Sequence, residues 1–184
     1  MIPRFSPATT PWETLRFLLD AARPAPRDGD AVVRRFEDAF ADWQGARHVL
    51  FVPSGRMGLY LILAAAGYPA GGEVVVPAFT YFAIPAMIRH LGLRVVYADV
   101  EPATYELSAA TVEPVLSPRT CAVIPTHLFG RTCPMLGLED LAAARGFDLI
   151  EDCAQACGAV MDGDRAGGRG RAAYFTFGIT KNFS

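Results

Sequence analysis

From residue 49 onward the chain alternates short apolar runs with segments of helical periodicity, and this alternation constrains the fold more than any other feature. Residues 49–52, 73–76, 94–98, 121–126 and 147–151 read as strands, and residues 58–66, 81–90, 108–116 and 136–145 as the helices between them. The strands are apolar along their whole length, as strands buried on both faces must be. The pattern therefore implies an α/β fold: a mainly parallel sheet flanked by helices. In such sheets ligands gather at the carboxyl ends of the strands, so the residues that follow each run carry the functional interest.

Upstream, Thr10-Pro11-Trp12-Glu13 supplies a helix start, and Val32, Val33, Phe36, Phe40 and Trp43 fall at helical spacing over residues 30–43. The expected organisation is an N-terminal helical segment, residues 1–46, followed by the α/β part, residues 47–184. A formal net charge of −2 without a basic block gives nucleic acid no electrostatic foothold. No apolar run reaches the roughly 18 residues of a membrane span. The N-terminus lacks the apolar core of a signal peptide. The 4 cysteines form no CxxC pair and no zinc-like spacing with the histidines. They are expected as free thiols of a soluble protein in a reducing cytoplasm, with no metal.

Two residues carry a definite chemistry. Lys181, in Gly178-Ile179-Thr180-Lys181-Asn182, is the only lysine in a chain whose other 16 basic residues are arginine. It follows a strand-like aromatic stretch that includes Thr176. Asp152, in Glu151-Asp152-Cys153-Ala154-Gln155, closes an apolar strand, where a carboxylate is costly unless a cation meets it. An amine can condense with an aldehyde, and a carboxylate can hold a heterocyclic nitrogen protonated; pyridoxal phosphate (PLP) chemistry needs both. An arginine partner for Asp152 satisfies the same burial argument. Around these residues, Pro53-Ser54-Gly55-Arg56 forms a small turn opening a helix, which suits a phosphate or plain strand-to-helix punctuation. Tyr81 and Phe82 follow a strand and are either stacking rings or core. His127 ends another strand, as a pocket wall or a structural residue.

Together these segments resemble the DegT/DnrJ/StrS group of PLP-dependent sugar aminotransferases, of the fold-type I superfamily. The resemblance runs from about Arg47 to Asn182 and rests on four ordered segments. These are Val74-Val75-Val76-Pro77-Ala78-Phe79-Thr80-Tyr81, Pro125-Thr126-His127-Leu128-Phe129-Gly130, Ile150-Glu151-Asp152-Cys153-Ala154-Gln155-Ala156-Cys157-Gly158-Ala159 and Phe175-Thr176-Phe177-Gly178-Ile179-Thr180-Lys181-Asn182. It implies that Lys181 is the catalytic lysine that links covalently to PLP. Asp152 would hold the pyridine nitrogen, Gln155 would hydrogen-bond near the ring hydroxyl and Tyr81 would stack on the ring. The Gly55-Arg56 backbone and Thr176 would take the phosphate.

The implied reaction moves an amino group, usually from glutamate, to a keto group on a nucleotide-linked sugar, in a cytoplasmic homodimer serving polysaccharide or antibiotic sugar synthesis. The sequence departs from the group at Arg56, where a small hydroxyl residue is usual, and at Gly178, where histidine or tyrosine is usual. The group's chains continue past this lysine, so the resemblance implies an N-terminal portion of the PLP-binding large domain, without the small domain. The alternative expectation is a non-catalytic remnant or interaction module of that fold. A nucleotide-binding α/β domain without PLP has no GxGxxG or Walker pattern to support it.

Overall fold

The structure is a computed structural model and describes residues 28–161 and 163–177, together with Trp12, Leu15, Arg16, Leu18 and Leu19. The last five are helical; Lys181 and its neighbours Gly178 to Asn182 lie outside the described residues. Helix α1 is Gly29–Gln44, started by the Asp28 carboxylate accepting from the Ala31 N–H and stopped by Gly45 at φ 73°. Helix α2, Gly55–Ala66, begins at Ser54, whose hydroxyl accepts from the Met57 N–H, and ends at left-handed Gly67.

Strand β1 (Glu73–Pro77) leads to α3 (Ala83–His90) and β2 (Arg94–Ala98). Ser108 then caps the four-residue α4 (Ala109–Val112). A 3₁₀ turn, Glu113–Val115, follows where Pro114 has no N–H to continue the helix. Next come β3 (Thr120–Val123), α5 (Met135–Arg145) and β4 (Asp148–Asp152). A two-residue hairpin, β5 (Val160–Met161) and β6 (Asp164–Arg165), precedes β7 (Ala172–Tyr174).

Among the described residues, five strands form one sheet in the order β2-β1-β3-β4-β7, and every pairing in it is parallel. Side chains alternate across such a sheet, so neighbouring residues enter different cores. Val74 and Val76 pack with Leu59, Leu63, Ile84, Ile88, Ile150 and Tyr174 under α2 and α3. Val75 points the other way, into Leu107, Val112, Val123, Leu138 and Leu149 under α4 and α5. This two-faced burial is why the strands read as unbroken apolar runs, and it fulfils the expected flanked parallel sheet.

The expected strand at residues 49–52 is a correction: these residues form no strand and join no ladder. A strand exists only with a neighbour, and among the described residues β7 pairs with β4 alone. Between residues 46–55 and β7 lies a cleft of about 1150 Å³, bordered by Val49, Phe51, Ser54, Gly55, Ala173 and Thr176. The Phe51 N–H is satisfied instead by the Glu37 side chain at 2.7 Å. Phe51, Phe175 and Phe177 then pack edge-on against Phe36 and Phe40 of α1, with ring centroids 5.2–5.5 Å apart.

Candidate functional site

Asp152 is the last residue of β4 and only 4 % exposed. Its backbone is clamped from the segment after β3: its N–H donates to the Pro125 carbonyl at 2.9 Å, and its carbonyl accepts from the His127 N–H at 3.0 Å. Its Oδ1 accepts from the Ala154 N–H at 3.0 Å. The carbonyl of the same Ala154 accepts the Thr176 hydroxyl at 3.2 Å. One turn residue thus ties the carboxylate to the hydroxyl two positions past β7.

The N-terminus of α2 closes on the same place. A Cβ built on Gly55 would lie 2.3 Å from the Thr176 methyl carbon, so only glycine lets the helix start approach this closely. The first turn of a helix leaves N–H groups unspent and carries the positive end of its dipole, an arrangement suited to a phosphate. The structure therefore brings Gly55, Asp152 and Thr176 together at the carboxyl edge of the sheet. Arg56 follows in the first turn of α2 with its side chain exposed.

Tyr81 and Gln155 lie at the same edge, each in its own setting. Tyr81 follows β1, is 55 % exposed, and sets its ring against Phe82 at a centroid distance of 4.6 Å. The Gln155 carbonyl accepts from the Gly130 N–H at 2.9 Å, fixing the turn after Asp152 to the loop after β3. Lys181, the remaining site residue, lies outside the described residues. A buried carboxylate at a strand end, a helix start that needs glycine, and a hydroxyl beside it suit a phosphorylated heterocycle with a basic nitrogen.

His127 resolves as structural. It is fully buried and accepts the Cys133 N–H on Nδ1 at 2.9 Å, so its proton sits on Nε2, which donates to Glu151 at 2.8 Å. Glu151 also accepts from the N–H groups of Gly167 and Arg169 at 2.8 Å and of Gly170 at 2.5 Å. Burial pushes the Glu151 carboxyl up, but the bonds from His127 and these backbone N–H groups outweigh it and leave it below the ordinary range. His127, Glu151 and Cys153 cluster closely enough to suggest a metal. His127 Nδ1 and both carboxylate oxygens already accept from protein N–H groups, the Nε2 proton is given to Glu151, and burial keeps the Cys153 thiol protonated. The pair pins the turn at residues 167–170 to β4 and leaves Asp152, one residue on, facing the other side of the sheet.

Sequence reasoning passed over Tyr174 and Ala154. The signal for Tyr174 was its period of two with Thr176, which places both on the Asp152 face. Ala154 acts through its backbone, which leaves no trace in a sequence.

Comparison with known proteins covers the same stretch of chain. The family model described as the DegT/DnrJ/EryC1/StrS aminotransferase family matches residues 26–184. A GDP-perosamine synthase from Caulobacter vibrioides is 39% identical over 142 residues, covering 77% of this chain and 38% of that protein. The solved aminotransferase from Psychrobacter cryohalolentis superposes with a TM-score of 0.82 at 31% identity, covering 96% of this chain and 46% of that one. DesI, solved in the presence of its TDP-sugar product, gives a TM-score of 0.78 at 38% identity, covering 92% and 42% respectively. The chain thus spans less than half the length of these relatives. Among the described residues no helix is long and apolar enough to cross a membrane.

Proposed function

The chain belongs to the DegT/DnrJ/EryC1/StrS aminotransferase family, and on that premise we propose that the full-length protein is a PLP-dependent sugar aminotransferase. It takes an amino group from an amino acid, glutamate, and delivers it to the keto carbon of a nucleotide-linked sugar. Relatives whose names specify a GDP-linked product and a TDP-sugar product support that substrate class. The convergence of Gly55, Asp152 and Thr176 at one sheet edge is the observation that carries the reading.

In this reading residues 47–184 are part of the cofactor domain and residues 1–46 its N-terminal helical segment; the active form is a cytoplasmic homodimer. Bound PLP supplies an electron sink for the carbon that loses its proton. The chain's own residues do the rest. The first-turn N–H groups of Gly55 and Arg56 hold the phosphate, and the Thr176 hydroxyl joins them by exchanging the Ala154 carbonyl for a phosphate oxygen. The Asp152 carboxylate keeps the ring nitrogen protonated, Gln155 orients the ring edge and Tyr81 covers its face. The Lys181 amine binds the cofactor and, once freed, moves the proton between the two carbons.

The test is an assay of the full-length protein with PLP, glutamate and a panel of keto substrates, read by mass spectrometry. Amino-sugar nucleotides should form, with stoichiometric loss of glutamate. Amination of keto cyclitols that carry no nucleotide, with none of the nucleotide-linked sugars, would overturn the substrate class.

A further inference from the structure

Among the described residues buried beneath α2, Tyr174 is the one that carries a polar group. It is 7 % exposed and packs among Leu59, Leu63, Val76 and Ile150. Its hydroxyl is buried and makes no hydrogen bond of ordinary geometry among the described residues, yet it lies near enough to Asp152 for that carboxylate to act on it. Such a group is penalised in a folded protein, and phenylalanine would fill the same space without the penalty. A hydroxyl kept there has a use.

Register shows what it faces. Tyr174 and Asp152 are direct partners across the parallel β4–β7 ladder, so both side chains leave the sheet on one face. Ile150, two residues before Asp152, packs in the same cluster as Tyr174. The tyrosine itself is held in place: Cβ atoms built on Gly58 and Gly55 would touch it at 3.5 and 3.6 Å. Its carbonyl accepts from the Cys153 N–H at 3.0 Å. Burial and the nearby Asp152 charge push the phenol well above its ordinary range, which keeps it a donor.

We propose that Tyr174 is a positioning residue of the cofactor site, its hydroxyl donating to the Asp152 carboxylate and holding it ionised and aimed at the ring nitrogen. This rests on the proposed PLP reading, and it adds a layer beneath the residues that would touch the cofactor. The backbone N–H of Ala154 secures one edge of the carboxylate, and the phenol secures it from the strand alongside. Among the described residues, the titratable groups near Asp152 include the buried Cys153 and, across the sheet, Glu151 with His127 and Cys133.

Tyr174→Phe removes the donor and keeps the ring. The apo form of the full-length protein is titrated with PLP and with the analogue carrying C–H in place of the ring nitrogen, as wild type and as variant. The expected result is about tenfold weaker binding of PLP by the variant, the size of one charge-assisted hydrogen bond, with no change for the carbon analogue. Equal losses for both ligands, or none, would overturn the proposal. Should wild type bind neither ligand, the PLP reading fails on its own, and the carboxyl carbon shift of Asp152 against pH decides. A higher titration midpoint in Tyr174→Phe supports the tyrosine's role; an unchanged midpoint overturns it.

Discussion

Gly55 and Thr176 approach so closely that a single methyl group on the glycine would fall 2.3 Å from the threonine's own methyl carbon. The helix that would face a phosphate and the hydroxyl that would bind it are therefore set by one contact. Thr176 can turn aside only by giving up its bond to the Ala154 carbonyl, which holds the turn around Asp152. Gly55→Ala should cost about 1–3 kcal/mol of stability, as overpacking of a tight site does, and lower PLP affinity with it. A denaturant melt of the full-length variant checks the first part and a cofactor titration the second. A melt matching wild type would show that the approach is looser than this.

The His127–Glu151 pair should act on stability rather than on chemistry. Glu151→Gln keeps the size but replaces one of the two acceptor oxygens with N–H₂, which then faces either Nε2 and the Gly167 N–H or the N–H groups of Arg169 and Gly170. Breaking one side of a buried, fully bonded pair costs about 3 kcal/mol. The melting midpoint should fall accordingly, and the pH profile of activity should keep its shape. A changed pH profile without loss of stability would put the pair in the mechanism.

Stability should hold across a plateau in pH and fall on both sides. Glu151 and Glu73 titrate below the ordinary value of 4.5 in the folded protein, Glu73 because Ser117 and Arg119 bond it. Their contribution is present above that value and is lost as pH falls through their lower folded values. Burial raises the Cys133 and Cys153 thiols above 9.0, so the unfolded chain ionises first and stability falls as pH rises past that point. Denaturant melts from pH 3 to about 10 check both limbs; a stability that keeps rising below about pH 4 would contradict the first.

Much of the fold was legible because its strands are buried on two faces. Val74, Val75 and Val76 are all fully buried, and that condition can be read from an apolar triplet. Residues 49–52 carry the same signal and misled for a physical reason. Sequence reports the tendency to extend, whereas a ladder needs a neighbour, and β7 stands across a cleft from them. Asp152 was legible at the site because a charge ending an apolar run demands a partner. The second meaning of the next-door Glu151, as anchor for His127 and three backbone donors, was not, since those donors arrive from a loop 16–19 residues away.

The central claim is that Asp152 and Lys181, 29 positions apart in the sequence, act on one cofactor ring. The most direct measurement is the absorption spectrum of the full-length protein titrated with PLP, as wild type, Lys181→Ala and Asp152→Ala. Wild type should develop the yellow band of lysine-bound cofactor at one equivalent. Lys181→Ala should lack it, and Asp152→Ala should bind the cofactor at least about tenfold more weakly, as loss of a charge-assisted bond requires. A band of wild-type strength in Lys181→Ala, or undiminished affinity in Asp152→Ala, would contradict the account.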